Sequence, residues 1–217
     1  MRSFSCLLLG LVVALAVGPA ASTLGAQQGR RPPQSPSALL DAYSREFDDP
    51  RSTGRASMGL TQVLTHHAEH PAGDVETVLA GLERMAIGGS TSRLRAEAAA
   101  SIAIPGSRKS TRPLGGTFAR LARVYRSSDD PVVRSIVVGA MGGLSEHRAA
   151  VPFLEHIAKQ QDEEFAGAAG KALTSLLMLG DPGRPALERL HSTSAVKNPE
   201  ARQILATMVK NGYRLPQ

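Results

Sequence analysis

The chain has 217 residues, of which 25 are lysine or arginine and 19 are aspartate or glutamate, so its formal net charge is +6. A positive excess this small and this dispersed favours acidic partners but does not indicate a nucleic-acid-binding protein. The only cysteine, Cys6, precedes an apolar segment that we expect to be removed. This excludes thiol catalysis, disulfides and cysteine-bound zinc in the remaining chain.

Residues 1–26 have the order of features typical of a secretory signal peptide. Arg2 supplies the positive start, residues 7–17 (LLLGLVVALAV) form an apolar core, and small residues follow up to Ala26. This core is too short to cross a bilayer about 30 Å thick as a helix. We therefore expect a chain exported to the periplasm or the extracellular space, with no transmembrane segment after cleavage near Ala26.

Residues 27–37 contain three prolines and are predicted to form a flexible linker. From Ala38 onward, apolar residues recur at spacings of three and four, which predicts helices. No segment shows the alternation typical of a half-buried strand, so the predicted fold class is all-α. The predicted helices cover residues 37–47, 55–69, 75–87, 93–104, 118–126, 131–144, 150–159, 163–176, 184–191 and 198–209.

Capping residues, prolines and glycines mark the ends of these helices. A side-chain oxygen just before the first turn accepts hydrogen bonds from N–H groups that have no partner within the helix, and proline is tolerated in that turn. The predicted N-caps are Asp74, Ser90 or Ser92, Asp129 or Asp130 followed by Pro131, and Asn198 followed by Pro199. Gly212 is predicted to follow the last turn of the last helix.

Five segments share one pattern, in which a polar cap leads to a basic or small residue and then to small and aliphatic residues. They are 53–64, 92–103, 131–144, 163–176 and 198–209, and each of the first four precedes a shorter second helix. Their spacing of about 30 to 40 residues is in the range of two-helix arrays. Within a domain covering 38–217, the approximate repeats are 50–88, 89–127, 128–161, 162–194 and 195–217.

The segment DPVVRSIVVGAMGGLSEHRAAVPFLEHIAK (130–159) carries Asp-Pro, then an arginine, then small residues, then a second helix with Pro and Leu. Together with LMLGDPGRPALERL (177–190), it resembles HEAT-repeat proteins, specifically the short HEAT-like repeats of the PBS-lyase type. The resemblance covers roughly residues 50–217 and implies an α-solenoid (α-α superhelix) of about five stacked helical hairpins. It also implies a non-catalytic protein–protein interaction scaffold without a cofactor, with second helices along the concave side.

Interior glycines are interpreted as sites of close helix packing. Each lowers helix stability by about 1 kcal/mol relative to alanine, so we expect a neighbouring helix to press against these positions. They are Gly139, Gly142, Gly143, Gly167 and Gly170.

Four charged residues are predicted to form a structural ladder between repeats: Asp130, Arg134, Arg95 and Arg202. Asp130 and Arg134 are four residues apart and share a helix face, and Arg134 can also reach the preceding repeat. The alternative is that these residues form an anion-binding site.

The stretch LTHHAEHPAG (64–73) raises the possibility of metal chemistry. His66, Glu69 and His70 spell H-x-x-E-H, which on one helix places two zinc ligands on the same face with a glutamate base between them. A metal-dependent, peptidase-like hydrolase is therefore the alternative function. Against it, Pro71 ends the helix at once, and histidines near a helix C-terminus also interact favourably with the helix dipole. We expect a solvated helix end and no resident metal.

A basic run without any acid extends from Arg108 to Arg126. Its candidate partner-binding residues are Arg112, Arg120, Arg123 and Arg126, which in a HEAT arrangement face a groove suited to an acidic peptide, a phosphate or a lipid headgroup. The alternative is an ordinary solvated helix face.

These patterns together predict an exported protein-binding scaffold rather than an enzyme. Enzymes with related HEAT-like stacks, such as bilin lyases and DNA-repair glycosylases, are the other alternative. Export and the absence of an aromatic, carboxylate-lined pocket in the pattern argue against them.

Overall fold

The computed structural model describes residues 35–48, 54–160 and 166–213. The predicted signal peptide and most of the predicted linker lie outside the described residues. Within these ranges the chain is all-helical, as predicted, and its only extended pairing is an isolated bridge between Ser107 and Leu144. No helix in this part of the chain combines the length and the apolar character that crossing a membrane requires.

Ten α-helices and one short 3-10 helix make up the described chain. In order, the α-helices are α1 (Pro36–Asp48), α2 (Arg55–Thr65), α3 (Ala72–Gly88), α4 (Ser92–Ile102), α5 (Thr117–Ser127), α6 (Pro131–Met141), α7 (His147–Ala158), α8 (Ala166–Leu179), α9 (Arg184–Ser192) and α10 (Pro199–Lys210). The 3-10 helix is His67–Glu69. We call α2, α4, α6, α8 and α10 the first helices, and α3, α5, α7 and α9 the second helices.

Two of the predicted N-caps are confirmed. The side chain of Asp130 accepts hydrogen bonds from two N–H groups in the first turn of α6, at 2.9 and 3.4 Å, and Asn198 accepts one in α10, at 3.0 Å. Pro131 and Pro199 each occupy the first helical position, where the missing N–H removes no helical hydrogen bond. Gly212 follows α10 with φ of 61°, the left-handed conformation that suits glycine.

Two other capping predictions are wrong. The cap of α4 is Thr91, whose hydroxyl accepts from the N–H of Leu94 at 3.1 Å, rather than Ser90 or Ser92. Helix α3 begins at Ala72, so Asp74 lies inside its first turn instead of before it. The earlier start follows from Pro71, which has the extended conformation of an N-cap residue. Asp74 still places its negative charge near the positive end of the helix dipole.

Helices α2 and α5 are capped by glutamates from other parts of the chain. Each follows a glycine in the left-handed conformation, Gly54 or Gly116, which offers no side-chain oxygen. Glu46 of α1 accepts from two N–H groups in the first turn of α2, at 2.5 and 3.0 Å. Glu146 accepts from the N–H of Gly116 and from one in the first turn of α5, at 3.0 and 2.8 Å. These caps attach each helix start to a different segment.

Replacing Glu46 with glutamine is expected to lower the free energy of unfolding by about 1 kcal/mol at neutral pH, a typical value for a helix cap. Burial raises the pKa of Glu46, but hydrogen bonds from Ala56 and Ser57 outweigh it and hold the pKa below its ordinary 4.5. A carboxylate of this kind stabilises the fold above its ordinary pKa and loses that contribution as the pH falls through the folded value. Thermal unfolding at neutral and acidic pH measures the effect.

The difference between the Glu46→Gln variant and the unchanged protein should therefore shrink in acid. Glu97→Gln, at an exposed position of α4, is the matched control and should change little at either pH. A destabilisation by Glu46→Gln that is as large in acid as at neutral pH would contradict a charged cap.

Most helices pack against the helix two positions further along the chain. Among the first helices, α4 contacts α6, α6 contacts α8 and α8 contacts α10, and among the second helices, α3 contacts α5 and α7 contacts α9. All four second helices also contact the first helix that follows them: α3 with α4, α5 with α6, α7 with α8 and, less extensively, α9 with α10. The N-terminal helix departs from this order, because α1 contacts α2, α3 and α4.

The core is one cluster of buried apolar side chains that runs from Leu39 in α1 to Met208 in α10. Leucine, valine and alanine dominate it, and the sequence has no tryptophan. Every buried side-chain nitrogen or oxygen in the described residues has a hydrogen-bond partner, as expected of a well-packed interior.

Three of the five interior glycines meet a neighbouring helix, and two do not. A Cβ atom added to Gly139, Gly142 or Gly170 would lie 2.9, 2.9 or 2.8 Å from an atom of the next first helix. The expectation is wrong for Gly143, which lies beyond the end of α6. It is also wrong for Gly167, where no described residue outside its own helix comes within 4 Å of such an atom.

Candidate functional site

The predicted helix 55–69 is shorter in the structure, and the proposed metal-ligand geometry fails with it. Helix α2 ends at Thr65, and the chain continues as a 3-10 turn to Glu69. Beyond it, His70 is extended, with φ of −104° and ψ of 153°. The reason is Pro71, because a residue that precedes proline is disfavoured in the helical region. His66 and His70 therefore do not lie one helical turn apart on a common α-helix.

The histidines of this stretch have separate environments. The Nδ1 atom of His66 lies 3.3 Å from Oε1 of Glu69, and both side chains are exposed. The buried imidazole is that of His67, which the H-x-x-E-H reading leaves out, and its Nδ1 lies 3.0 Å from the carbonyl oxygen of Leu64. In the described residues no group of three or more His, Cys, Asp or Glu side chains is arranged to hold a metal ion.

A shallow depression of about 470 Å³ borders His66 on the outer side of α2. Its other lining residues are Ser57, Met58, Thr61, Gln62 and Thr65. These side chains supply hydroxyl, amide and thioether groups. A hydrolytic zinc site requires further imidazole or carboxylate ligands, which this described lining does not bring to His66.

Two of the predicted partner-binding arginines are held by carboxylates of the same chain. Arg120 lies 2.6 Å from Glu76 and 3.1 Å from Glu83, and Arg123 lies 2.6 Å from Glu83. We call these four residues the α3–α5 ion-pair network. The hydrogen bond from Arg123, together with the two guanidinium charges, holds the pKa of Glu83 below its ordinary value despite its burial. The side chain of Arg120 is only 17% exposed.

The four predicted arginines therefore do not form one basic patch. Arg120 and Arg123 join α3 to α5. Arg126 lies over the ring of Phe153 in α7, with its guanidinium carbon 5.7 Å from the ring centroid. Arg112 is exposed in the 103–116 loop, where its N–H donates to a nearby serine hydroxyl. Both Arg120 and Arg123 thus make intrachain ion pairs, and the Arg123 side chain keeps 55% of its surface exposed.

A matching ion pair joins α7 to α9. Glu155 lies 2.7 Å from Arg189 and 3.1 Å from Lys159. The hydrogen bond from Arg189, followed by that from Lys159, lowers the pKa of Glu155 from its ordinary value. Glu155 therefore connects two second helices.

A short repeated signal marks both ion-pair sites. Second helices α3, α7 and α9 contain Leu-Glu followed by a basic or histidine residue, in LERM (82–85), LEHI (154–157) and LERL (187–190). Each leucine of this signal is fully buried, which sets the same register in each helix. Glu83 of α3 meets Arg123 of α5, and Glu155 of α7 meets Arg189 of α9. When the second helices are aligned on their buried leucines, Arg123 and Arg189 each lie one residue after the position that the glutamate has in the partner helix.

Helix α5 has Ala122 in place of the glutamate, and the contact between α5 and α7 is aromatic. The ring of Phe153 lies edge-on to those of Phe118 and Tyr125, with centroids 5.7 and 5.4 Å apart. Such edge-to-face pairs contribute about 0.5–1.5 kcal/mol beyond their buried area. Along the second helices the contacts are thus ionic at α3–α5, aromatic at α5–α7 and ionic at α7–α9.

The predicted ladder residues lie in three different environments. Arg95 of α4 donates to the carboxylate of Asp130 at 2.7 Å, which joins two successive first helices. Arg134 donates to the carbonyl of Ser128 at 2.6 Å and lies over the ring of Tyr125, so it reaches the preceding helix α5. Arg202 is exposed on α10.

In the described residues, side-chain contacts connect second helices with second helices, and the Arg95–Asp130 pair connects two first helices. Comparison of the chain with protein-family models, with curated proteins and with solved structures finds no match. What the protein does is therefore inferred from the placement of its own side chains.

Proposed function

We propose that this chain is a non-catalytic protein–protein interaction scaffold, built as a HEAT-like solenoid of about five stacked helical hairpins and exported to the cell envelope. The observation that carries the proposal is the order of helix contacts, in which a helix packs against the helix two positions further along. Two-helix units that contact their neighbours in this way form a quasi-linear stack with an extended surface for binding.

The recurring ion pair supports the equivalence of the units. Glu83 with Arg123 and Glu155 with Arg189 join successive second helices in the same register. A repeated contact in the same register is what a stack of related units produces, since each new unit adds the same interface. These pairs also hold long side chains in one conformation, and such preorganisation lowers the entropy that a partner must remove on binding.

The second helices offer the surface that best suits a protein partner, and its charge favours an acidic one. Helices α3, α5, α7 and α9 contain seven arginines and five acidic residues. Arg126 and Arg148 are exposed near the centre of this set, on α5 and α7. Arginine and aromatic side chains are enriched at the sites that contribute most to protein binding, and α5 and α7 carry both.

The proposal is tested by comparing two matched charge reversals in affinity capture. The first changes Arg126 and Arg148 on second helices to glutamate, and the second changes Arg93 and Lys171 on first helices to glutamate. Each pair includes one arginine that lies over a phenylalanine ring, Arg126 or Arg93, so the structural cost is similar. After gentle cross-linking in an envelope extract, the unchanged chain and the first-helix variant should retain a partner that the second-helix variant loses.

Two outcomes would contradict the scaffold. Equal recovery of partners by both variants would show that the second helices are not the binding surface. One equivalent of zinc that copurifies with the protein, is lost in His66→Ala and is kept in His191→Ala, would favour the hydrolase instead. Circular dichroism of every variant confirms that the helices remain folded.

A further inference from the structure

The loop between α4 and α5, residues 103–116, crosses to the connection between α6 and α7. The N–H of Arg108 donates to the carbonyl of Gly143 at 2.9 Å, and the N–H of Ser145 donates to the carbonyl of Gly106 at 3.0 Å. These two hydrogen bonds surround the isolated bridge between Ser107 and Leu144. The loop is therefore attached through its backbone to the α6–α7 connection of the next helix pair.

The side chain of Arg108 continues one pair further. Its guanidinium donates to the carbonyls of Met178 at 2.7 Å and Leu179 at 3.2 Å, at the end of α8, and to that of Gly142 at 3.4 Å, just past α6. Carbonyls in the last turn of a helix have no donor within that helix. The positive charge also lies at the negative ends of two helix dipoles, where it is favourable.

The contact spans an unusual distance along the chain. Arg108 is 70 and 71 residues away from its two acceptors in α8. In a stack of two-helix units each unit contacts its neighbours, so a side chain that reaches the next unit but one adds a different kind of connection. The connections α4–α5, α6–α7 and α8–α9 are thereby held by a single residue.

We propose that Arg108 is a latch and that the 103–116 loop is a strap, which together couple three successive helix connections and fix the angle between the pairs α6–α7 and α8–α9. The strap thereby sets the local curvature of the second-helix surface. Loss of the latch loosens the α8–α9 connection from the α6–α7 connection, while α8 remains packed on α6 and α7. This device acts whatever partner the scaffold binds, so its test does not depend on that partner.

Arginine suits this position because of its shape. Its planar guanidinium presents several N–H donors in a fixed fork and satisfies three carbonyls at once, whereas a lysine ammonium is a single charged point on a flexible stem. Lys109 and Arg112 are exposed on the same loop, and their backbone N–H groups donate to the hydroxyls of Ser107 and Ser110. They serve as controls for the charge of the loop.

The test compares hydrogen exchange in Arg108→Ala with that in Arg112→Ala, which removes the same charge from the same loop. We expect the amide of Ser145 and the amides of α9 to exchange roughly ten- to a hundredfold faster in Arg108→Ala only, as for loss of a hydrogen bond to a charged group. Millimolar methylguanidinium should restore slow exchange in that variant by occupying the vacated carbonyls. Sodium at the same concentration should not.

Arg108→Lys is the second variant, and it should exchange at an intermediate rate because it keeps the charge without the fork. Equal exchange in Arg108→Ala and Arg112→Ala would overturn the latch. Faster exchange confined to the loop, with α9 unchanged, would also overturn it, because the side chain would then hold only its own segment.

Discussion

The Asp130→Ala variant is expected to unfold with a free energy about 3 kcal/mol below that of the unchanged protein, because a helix cap and an ion pair are lost together. The Asp130 side chain is 8% exposed and accepts hydrogen bonds from Arg95 and from the first turn of α6. Its removal leaves the guanidinium of Arg95, 26% exposed, without this carboxylate. Urea denaturation measures the change, with the same dependence of the unfolding free energy on urea concentration applied to both proteins.

The destabilisation caused by Asp130→Ala should be smaller in acid, because the native contacts of Asp130 lower its pKa. Burial raises the pKa, but hydrogen bonds from Ser92, Arg95 and two backbone N–H groups outweigh it and lower the pKa from 3.8 to about 2. The contribution of the carboxylate is therefore complete above about pH 4 and is lost as the pH falls towards 2. A loss of unfolding free energy in Asp130→Ala that stays constant over this pH range would contradict stabilisation by the ionised carboxylate.

A double-mutant cycle separates the ion pair from the cap. Arg95→Ala and Asp130→Ala should be less destabilising together than the sum of the two single changes, by about 1 kcal/mol or more, since each alone leaves the other charge unpaired. Asp130→Asn keeps an oxygen for the cap and should lose roughly half as much as Asp130→Ala. Arg202→Ala, at an exposed position of α10, is the control and should change stability little. Strict additivity of the two changes would exclude the pairing.

Gly142→Ala is expected to lower the free energy of unfolding by about 2–3 kcal/mol, the usual effect of overpacking a close contact. An added Cβ would lie 2.9 Å from the Cα atom and 3.1 Å from the carbonyl oxygen of Ser175, so backbone rather than a flexible side chain must move. Ser175 itself donates to the carbonyl of Val138 at 2.8 Å, which fixes α8 against α6 at this point. The midpoint of urea unfolding reports the loss.

Two glycines of the same region provide controls. Gly143→Ala places its Cβ at an ordinary 3.5 Å from Ala140 and should change stability little. Gly167→Ala, in the first turn of α8 with no described neighbour within 4 Å, should be stabilising by about 0.5 kcal/mol through helix propensity. If Gly142→Ala matched either control, the close approach of α6 and α8 at Gly142 would be refuted.

The alternation of ionic and aromatic contacts explains how second helices with few apolar surface residues stay in register. Where Leu-Glu recurs, the glutamate of one helix meets arginine in the next, as at Glu83 and Glu155. Where alanine replaces the glutamate, at Ala122, aromatic rings supply the contact through Phe153. The arginines of these two pairs, Arg123 and Arg189, are more than half exposed. Ion pairs at such positions contribute little each, so we assign them a role in register more than in stability.

The sequence by itself determined the elements whose causes are local. Apolar spacing predicts all ten helices, and Asp-Pro and Asn-Pro identify the caps at Asp130 and Asn198, because a cap bonds to N–H groups two or three residues away. The same local reasoning placed the start of α3 too late and extended α2 through the histidines. Both errors lie beside Pro71, whose effect on its neighbours outweighs the periodicity.

Only the tertiary structure decided what the charged residues do. Arg120 meets Glu76 across 44 residues, and Arg108 meets Met178 across 70. Such partners depend on which helices become neighbours and at what angle, and no local spacing encodes that. A run of arginines without acids therefore reads as an open basic surface in the sequence. In the fold, carboxylates and helix-end carbonyls from distant segments occupy Arg120, Arg123 and Arg108.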